Sequence, residues 1–309
     1  MDKIIDHFAS APLWSSPFQP TACLTVTGED ALTFLQGQFT QELRSQTPSF
    51  AAYGLWLNQK GKVLADSFVL REAADYLWII SFSSAVSVIK ERLEAYVIAD
   101  DVVIEDVTDG WAGRVVGGEN AEAWVTAQAG FAPGEHEFVK APGGGLIFRG
   151  RRGGAVTFEW LGLAGTVFPE TSDVRTAPDL ERLRIAAGIP RVPQDIGVGD
   201  LPNEGGLDVA GISYTKGCYL GQEVMARLKA MGTVRRRLVR VRAEGRGVPA
   251  VPCALLQGEK RVGELRSAAD DGAGGFVGLA MVTKLGLDPA GLLAPEPGGE
   301  SYIQLVDTP

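Results

Sequence analysis

Over its first third the chain alternates between apolar runs of strand length and apolar positions spaced three or four apart. Ala22 to Thr27 reads as a strand that leaves through Gly28-Glu29-Asp30, where Thr27 or Asp30 can cap a short helix built on Ala31, Leu32, Phe34 and Leu35. Phe50 to Leu57 and Lys62 to Leu70 are strand-like on either side of Asn58-Gln59-Lys60-Gly61, a hairpin with glycine in its turn. Asp75 to Phe82 is a third such run. Ser84 opens a helix to about Tyr96 in which Val86, Ile89, Leu93 and Tyr96 share one face, and Asp101 to Val107 closes the unit as a strand. The order β-α-β-β-(β)-α-β predicts a ferredoxin-like sandwich, with helices on one side of an antiparallel sheet.

From Trp111 the pattern changes. Gly113 to Gly117 is strand-like, Asn120 to Ala129 helical, and Glu135 to Leu161 a glycine-rich β region in which Gly143-Gly144-Gly145 and Gly150 to Gly154 read as turns. The triple glycine lacks the strand-Gly-helix context of a phosphate loop. Trp160 and Phe168 read as core. A helix from Asp179 to Ala187 follows Pro178 and stops at Gly188-Ile189-Pro190. Arg191 to Gly206 is a long loop carrying Asp195, Asp200, Asn203 and Glu204, and loops of this length inside a compact domain are usually functional or disordered. Gly211 to Thr215 is β-rich and Gln222 to Ala230 favours helix. Beyond Gly232, short strands between Gly/Pro turns predict a small antiparallel barrel or sandwich. The expected class is α+β, divided at 1–110, 111–232 and 233–309.

A length of 309 residues, 45% hydrophobic and 22% charged, is that of an ordinary globular protein, and a net charge of -9 argues against nucleic acid or an anionic membrane as a general partner. No apolar run approaches the roughly 20 residues of a spanning helix. The start of the chain lacks the basic-then-apolar order of a signal peptide, which makes the cytoplasm the expected location. Three cysteines, Cys23, Cys218 and Cys253, form neither a disulfide framework nor a zinc spacing, and His7 and His136 stand outside any metal-ligand cluster.

Chemistry concentrates in Lys216-Gly217-Cys218-Tyr219-Leu220-Gly221-Gln222-Glu223-Val224-Met225-Ala226-Arg227. A thiol just before a helix N-terminus, with Lys216 two residues upstream, is placed to favour the reactive thiolate. A packed, inert cysteine is the alternative, since free cysteine is among the most buried residue types. Downstream, Arg227, Lys229, Arg235, Arg236, Arg237, Arg240 and Arg242 form a basic run on an otherwise acidic chain. It is either the solvated face of a strand or a local site for a carboxylate- or phosphate-bearing ligand.

The stretch Lys216 to Glu223 resembles the signature of the YgfZ family of folate-binding proteins, relatives of the glycine-cleavage T-protein. The resemblance extends through Phe34-Leu35-Gln36-Gly37-Gln38, Thr40-Gln41-Glu42, Leu57 to Val63, Arg184 to Pro190, Pro202-x-Glu204-x-x-Leu207 and Val262 to Ser267. It implies a T-protein-like fold of folate-binding domains with a C-terminal antiparallel β-barrel, and tetrahydrofolate or a one-carbon derivative as ligand. It also implies a role in assembling or repairing iron-sulfur proteins, with tRNA modification among the processes served.

Residue by residue, the resemblance carries the cysteine motif onto Cys218 with Lys216, Tyr219, Gln222 and Glu223. It makes Glu204 the carboxylate that would hold the pterin, accepting two charge-assisted hydrogen bonds from its amino-pyrimidinone edge, with Asp195 and Arg184 beside it. Arg227 and Arg235 would meet the glutamate carboxylates of the folate. Asp66 matches the acid that serves methylene transfer in the T-protein, and a folate-dependent aminomethyl or C1 transferase is the alternative activity. Two departures stand out: Ala186 occupies a position where the family usually has Glu, and the T-protein lacks the Lys-Gly-Cys-Tyr motif. A single thiol cannot hold a cluster, which usually needs four protein ligands, so a cluster role implies an iron-sulfur client or carrier protein as partner.

Overall fold

A computed structural model describes residues 11–154, 156–296 and 298–309. Its first sheet joins β2 (Ala22–Thr27), β3 (Phe50–Leu57), β4 (Val63–Ala73), β5 (Tyr76–Ser81) and β6 (Val103–Asp106) in the antiparallel order β3-β4-β5-β2-β6. The sheet has five strands, where a plain ferredoxin-like sandwich has four, because the run after the hairpin pairs as a full strand between β4 and β2. Helices α1 (Ala31–Gln38) and α2 (Val86–Glu94) cover one face, burying Phe34, Leu35, Ile89 and Leu93 against Leu24, Val69, Leu77 and Ile79.

The other face of that sheet is also apolar, and it meets a second sheet. There β1 (Trp14–Phe18), β7 (Trp111–Gly117), β8 (Phe138–Lys140), β9 (Leu146–Arg149) and β10 (Thr157–Leu163) run in the order β1-β7-β10-β9-β8. Phe68, Leu70 and Ile80 from the first sheet pack on Phe138, Phe148 and Leu161 from the second. β1 lies within the expected 1–110 unit yet pairs along β7, from Trp14 opposite Gly117 to Phe18 opposite Gly113. Helix α3 (Ala121–Ala129) covers the far side of the second sheet.

Helix α4 (Ala177–Ala186) starts earlier than the position after Pro178, because Thr176 and Asp179 form a capping box: the Thr176 N–H donates to Asp179 Oδ2 at 3.0 Å. The segment Gly211 to Thr215 is not a strand. Helix α5 (Leu207–Gly211) ends there, and the chain continues irregularly to helix α6 (Gln222–Met231).

The C-terminal sheet joins β11 (Arg236–Ala243), β12 (Cys253–Gln257), β13 (Lys260–Asp270), β14 (Phe276–Thr283) and β15 (Gln304–Leu305) in the order β12-β13-β14-β11-β15. A bulge between Leu265 and Ser267 bends β13, and bulges bend the strand that carries them. The sheet curls around Val239, Val241, Leu255, Leu265 and Phe276, and single bridges Leu256 to Ala294 and Leu293 to Ile303 span its open side.

Candidate functional site

A cavity of about 310 Å³ lies between the first two sheets and is closed at the side by α4 and the chain after it. Phe18, Tyr53, Phe68 and Phe82 give it aromatic walls, and Asp66, Arg151, Arg152, Glu181, Arg184 and Arg191 give it charge. Asp66 sits on β4 opposite Leu55, so the two-residue period of the strand turns it away from the helices, toward the second sheet. Its Oδ2 accepts from the Tyr53 hydroxyl at 2.9 Å and its Oδ1 from Ser84 Oγ at 2.9 Å, while its own N–H donates to Ser84 Oγ at 3.0 Å. Burial pushes the Asp66 carboxyl up from its ordinary value; the two hydroxyl donors and the Arg151 charge only partly oppose this.

The turn Gly150 to Gly154 delivers two arginines into the cavity. Arg152 is clamped between the rings of Phe18 and Phe82, 3.8 and 4.3 Å from their centroids, and forks onto the fully buried carboxylate of Glu159. Arg151 lies 3.9 Å from the centroid of the Tyr53 ring. On the α4 side, Arg184 donates to Glu181 at 3.0 and 2.5 Å, and Arg191 donates to the same carboxylate. Burial works against that charge, but the two guanidiniums outweigh it and hold Glu181 below its ordinary range.

Behind the cavity, Arg184 Nη1 donates to Asp195 Oδ2 at 2.6 Å and Nη2 to Ser267 Oγ at 2.9 Å; Ser267 Oγ donates to Asp195 Oδ1 at 2.6 Å. Asp195 is fully buried and lies behind this wall, tying α4 and the 191–206 loop to β13. Glu204, expected at the pterin, is instead forked by Arg236 of β11, Nε to Oε1 at 2.9 Å and Nη2 to Oε2 at 2.9 Å, and is absent from the cavity lining. The same Nη2 reaches Asp200 Oδ1 at 2.9 Å, and Arg266 reaches Asp200 Oδ2 at 2.5 Å. A pterin at Glu204 would have to compete with Arg236 and with the Leu201 N–H for the same two oxygens.

The cysteine motif forms a separate corner. Lys216 is buried and its Nζ donates to the main-chain oxygens of Gln36 at 2.7 Å, Phe39 at 2.7 Å and Gln41 at 2.9 Å. An ammonium has three hydrogens, so none is left for the thiol. Lys216 closes the C-terminal end of α1, where exposed carbonyls favour a cation, and directs no hydrogen bond at Cys218. Burial lowers its pKa to about 8. The Leu220 N–H donates to Gly37 O at 3.2 Å, and Gly221, at φ +88°, approaches so closely that a Cβ would lie 2.8 Å from Asn58 O. The stretches around Gln36, Asn58 and Lys216 thus converge, although they are far apart in sequence. Tyr219 is buried among Leu55, Leu57, Val63 and Met225, and burial raises its hydroxyl. Gln222 Oε1 accepts from the Tyr219 N–H at 3.3 Å.

Cys218, Glu223 and Arg227 point to solvent, and none of them lines the cavity; nor does Arg235. Among the described residues no group of three or more His, Cys, Asp or Glu is placed to hold a metal ion, and no helix is long and apolar enough to cross a membrane. His136 stacks on Phe50 at 5.8 Å between centroids; His7 lies outside the described residues. Of the expected site residues, the structure brings Asp66 and Arg184 to one cavity and leaves Cys218, Tyr219, Gln222, Glu223 and Arg227 together elsewhere. Tyr53, Ser84, Arg151, Arg152 and Glu181 carried no local motif, and only their assembly across two sheets and α4 marks them.

Residues 19–141 match the family model of the GCVT N-terminal domain. That match runs past residue 110 and takes in β7 and β8 of the second sheet. Among solved structures, the glycine cleavage system aminomethyltransferase T from Bartonella henselae superposes with a TM-score of 0.80 at 18% identity, covering 98% of this chain and 87% of that one. The heterotetrameric sarcosine oxidase from Corynebacterium sp. U-96, in complex with pyrrole 2-carboxylate, matches with a TM-score of 0.34 at 12% identity over 52% of this chain and 82% of that one, too low to carry an argument. Residues 19–141 are therefore similar to the GCVT N-terminal domain, and the described residues share the fold of the aminomethyltransferase T.

Proposed function

We propose that this chain binds tetrahydrofolate or a one-carbon derivative in the cavity between its first two sheets. In this reading Cys218, held outside that cavity, acts on a partner protein in the cytoplasmic assembly or repair of iron-sulfur proteins. The observation that supports it is the separation of an aromatic-walled, carboxylate-bearing cavity from an exposed thiol at the end of the Lys216 corner. A pterin offers flat faces to Tyr53, Phe68 and Phe82 and an amide-amine edge to a carboxylate. Two carboxylates face the cavity. Glu181 is occupied by two arginines, whereas Asp66 holds only hydroxyl donors, which a ligand can replace at little cost. Asp66, rather than Glu204, is then the pterin's partner.

Titration calorimetry with tetrahydrofolate tests the ligand site. Wild type and Cys218→Ala bind alike, and Asp66→Ala loses affinity about tenfold or more, the cost of one charge-assisted hydrogen bond. Absence of binding to wild type, or unchanged binding to Asp66→Ala, overturns the folate site. The thiol is tested separately: in a strain lacking this protein, Cys218→Ala should fail to restore iron-sulfur enzyme activity, and full restoration removes the thiol from the mechanism.

The position of Asp66 favours a second reading, a folate-dependent aminomethyl or C1 transferase of the T-protein type. Its carboxylate would then steer a substrate amine against the bound folate. Turnover of an aminomethyl donor with tetrahydrofolate, falling about a hundredfold or more in Asp66→Asn, supports this reading; no turnover in wild type eliminates it.

A further inference from the structure

We infer that the exposed side of α6, continued by residues 232–237 and Lys284, is a docking surface for an acidic protein, and that a protein seated there covers Cys218. The inference rests on the reading that Cys218 acts on a partner. Arg227, Lys229, Arg235, Arg237 and Lys284 are all exposed. Unlike Arg236 and Arg240, which are spent on Glu204 and Asp307, these five form no ion pair among the described residues. Their backbones are contiguous. Leu228, Val234 and Arg237 line one shallow depression of about 230 Å³ with Asn203 and Val209, and the Lys284 N–H donates to Arg235 O at 2.9 Å. Lys229 is held 4.0 Å from the centroid of the Tyr214 ring.

Among the described residues, Asp208 lines the depression and Glu223 stands one turn before Arg227, while Asp307, near Arg237, is already paired with Arg240. A cationic sector on a protein of net charge -9 is a local reversal that steers an anionic partner. Val209 and Leu285, 86% and 84% exposed, are interspersed with the cations, as are the exposed Ala226 and Ala230. Apolar side chains gain from burial against another protein and not from a phosphate backbone, whose remaining charges the acidic body of this chain would repel. Helix α6 is about 15 Å long, and a partner burying the usual ~800 Å² per side covers a patch roughly 30 Å across. Such a partner reaches from the basic end of α6 to Cys218 before its first turn.

The test uses a plant-type [2Fe-2S] ferredoxin as an acidic, cluster-bearing probe against the full chain. Affinity is measured at about 20 and about 200 mM NaCl, together with a tetrahydrofolate titration of every variant. Wild type should bind the probe, weakening about tenfold or more across that salt range. Lys229→Glu with Arg237→Glu should weaken low-salt binding by a further factor of about ten while leaving tetrahydrofolate binding intact, and Lys140→Glu on the second sheet should change neither. No binding of the probe at low salt, equal binding by the double reversal, or equal loss in Lys140→Glu overturns the surface. A ten-nucleotide oligouridine that binds more tightly than the ferredoxin, and is lost in the same double variant, replaces the acidic protein with a nucleic acid. Wild type that binds the probe but not tetrahydrofolate leaves this surface standing and sinks the folate site instead.

Discussion

The hydroxyl of Tyr53 donates to Oδ2 of Asp66 at 2.9 Å, while the guanidinium of Arg151 lies 3.9 Å from the centroid of the same tyrosine ring. One aromatic ring therefore orients a carboxylate at its polar end and a cation on its face, at the junction of the first sheet with the turn after β9. Burial beside the carboxylate raises the Tyr53 phenol, so near neutrality the ring remains a donor.

Because burial raises the pKa of Asp66 above its unfolded value, the stability this group contributes is complete below the unfolded pKa and is lost as pH rises through the folded one. At pH 7 the carboxylate is a net cost to the fold. Asp66→Asn should accordingly have a higher Tm than wild type at pH 7 and the same Tm near pH 3, measured by calorimetry across that range. A lower Tm at pH 7 would show that the hydroxyl donors outweigh burial.

The three cysteines should separate under native alkylation. Cys218 is exposed, Cys23 is buried and pushed up to about 12 by burial and then by the Asp106 charge, and Cys253 is half-buried and also raised. Iodoacetamide near neutral pH should label Cys218 at least about tenfold faster than the other two, as read by peptide mass spectrometry. Equal labelling would mean that the core around Cys23 opens on the timescale of the reaction.

What was legible in the sequence follows from what is local. The hairpin through Asn58 to Gly61, the amphipathic face of α2 and the alternation of Val239 and Val241 with arginines depend on neighbours in sequence, and each formed as its pattern implied. The fifth strand of the first sheet and the transfer of β1 to the second depend on pairing partners far along the chain. The partners of the charged side chains were the least legible. Glu204, which the resemblance assigns to a pterin, and Arg236, in a run that reads as either a solvated strand face or an anion site, are each other's partner. Lys216 read as a thiol activator because Cys218 is close in sequence, whereas its acceptors lie around the end of α1.

The pair Glu204-Arg236 should be measurable as a coupling. Arg236→Ala leaves a buried carboxylate with only the Leu201 N–H, which donates at 2.8 Å. A fully buried pair broken on one side costs about 3–5 kcal/mol. Arg236 is 39% exposed, so water screens part of the loss and about 2 kcal/mol is expected. Urea unfolding of Arg236→Ala, Glu204→Ala and the double variant should give a coupling of about 1 kcal/mol or more. Asp200 adds a pH signature. Its burial is outweighed by hydrogen bonds from Arg266 and the Gly197 N–H and by the charges of Arg266 and Arg236. It is held below its ordinary range, so its contribution is present above the unfolded pKa and vanishes as pH falls through the folded one. Zero coupling at neutral pH would mean that this pair adds nothing to the ties the C-terminal sheet already makes through Ser267 and Arg266.

Lys216 gives the sharpest separation between a structural and a chemical role for the cysteine motif. Lys216→Met keeps the apolar stem but leaves the carbonyls of Gln36, Phe39 and Gln41 without their donor, for an expected loss of about 3 kcal/mol by urea unfolding. With its pKa lowered to about 8 by burial, the wild-type lysine releases its proton earlier when folded than when unfolded. The unfolded chain then binds more protons above about pH 8, so the stability of wild type relative to Lys216→Met should rise from there to the unfolded lysine value. Alkylation of Cys218 in the folded variant should proceed at the wild-type rate, because no hydrogen of the Lys216 ammonium is directed at the thiol. A Cys218 rate that collapses in Lys216→Met while the protein stays folded would return the lysine to the chemistry of the thiol.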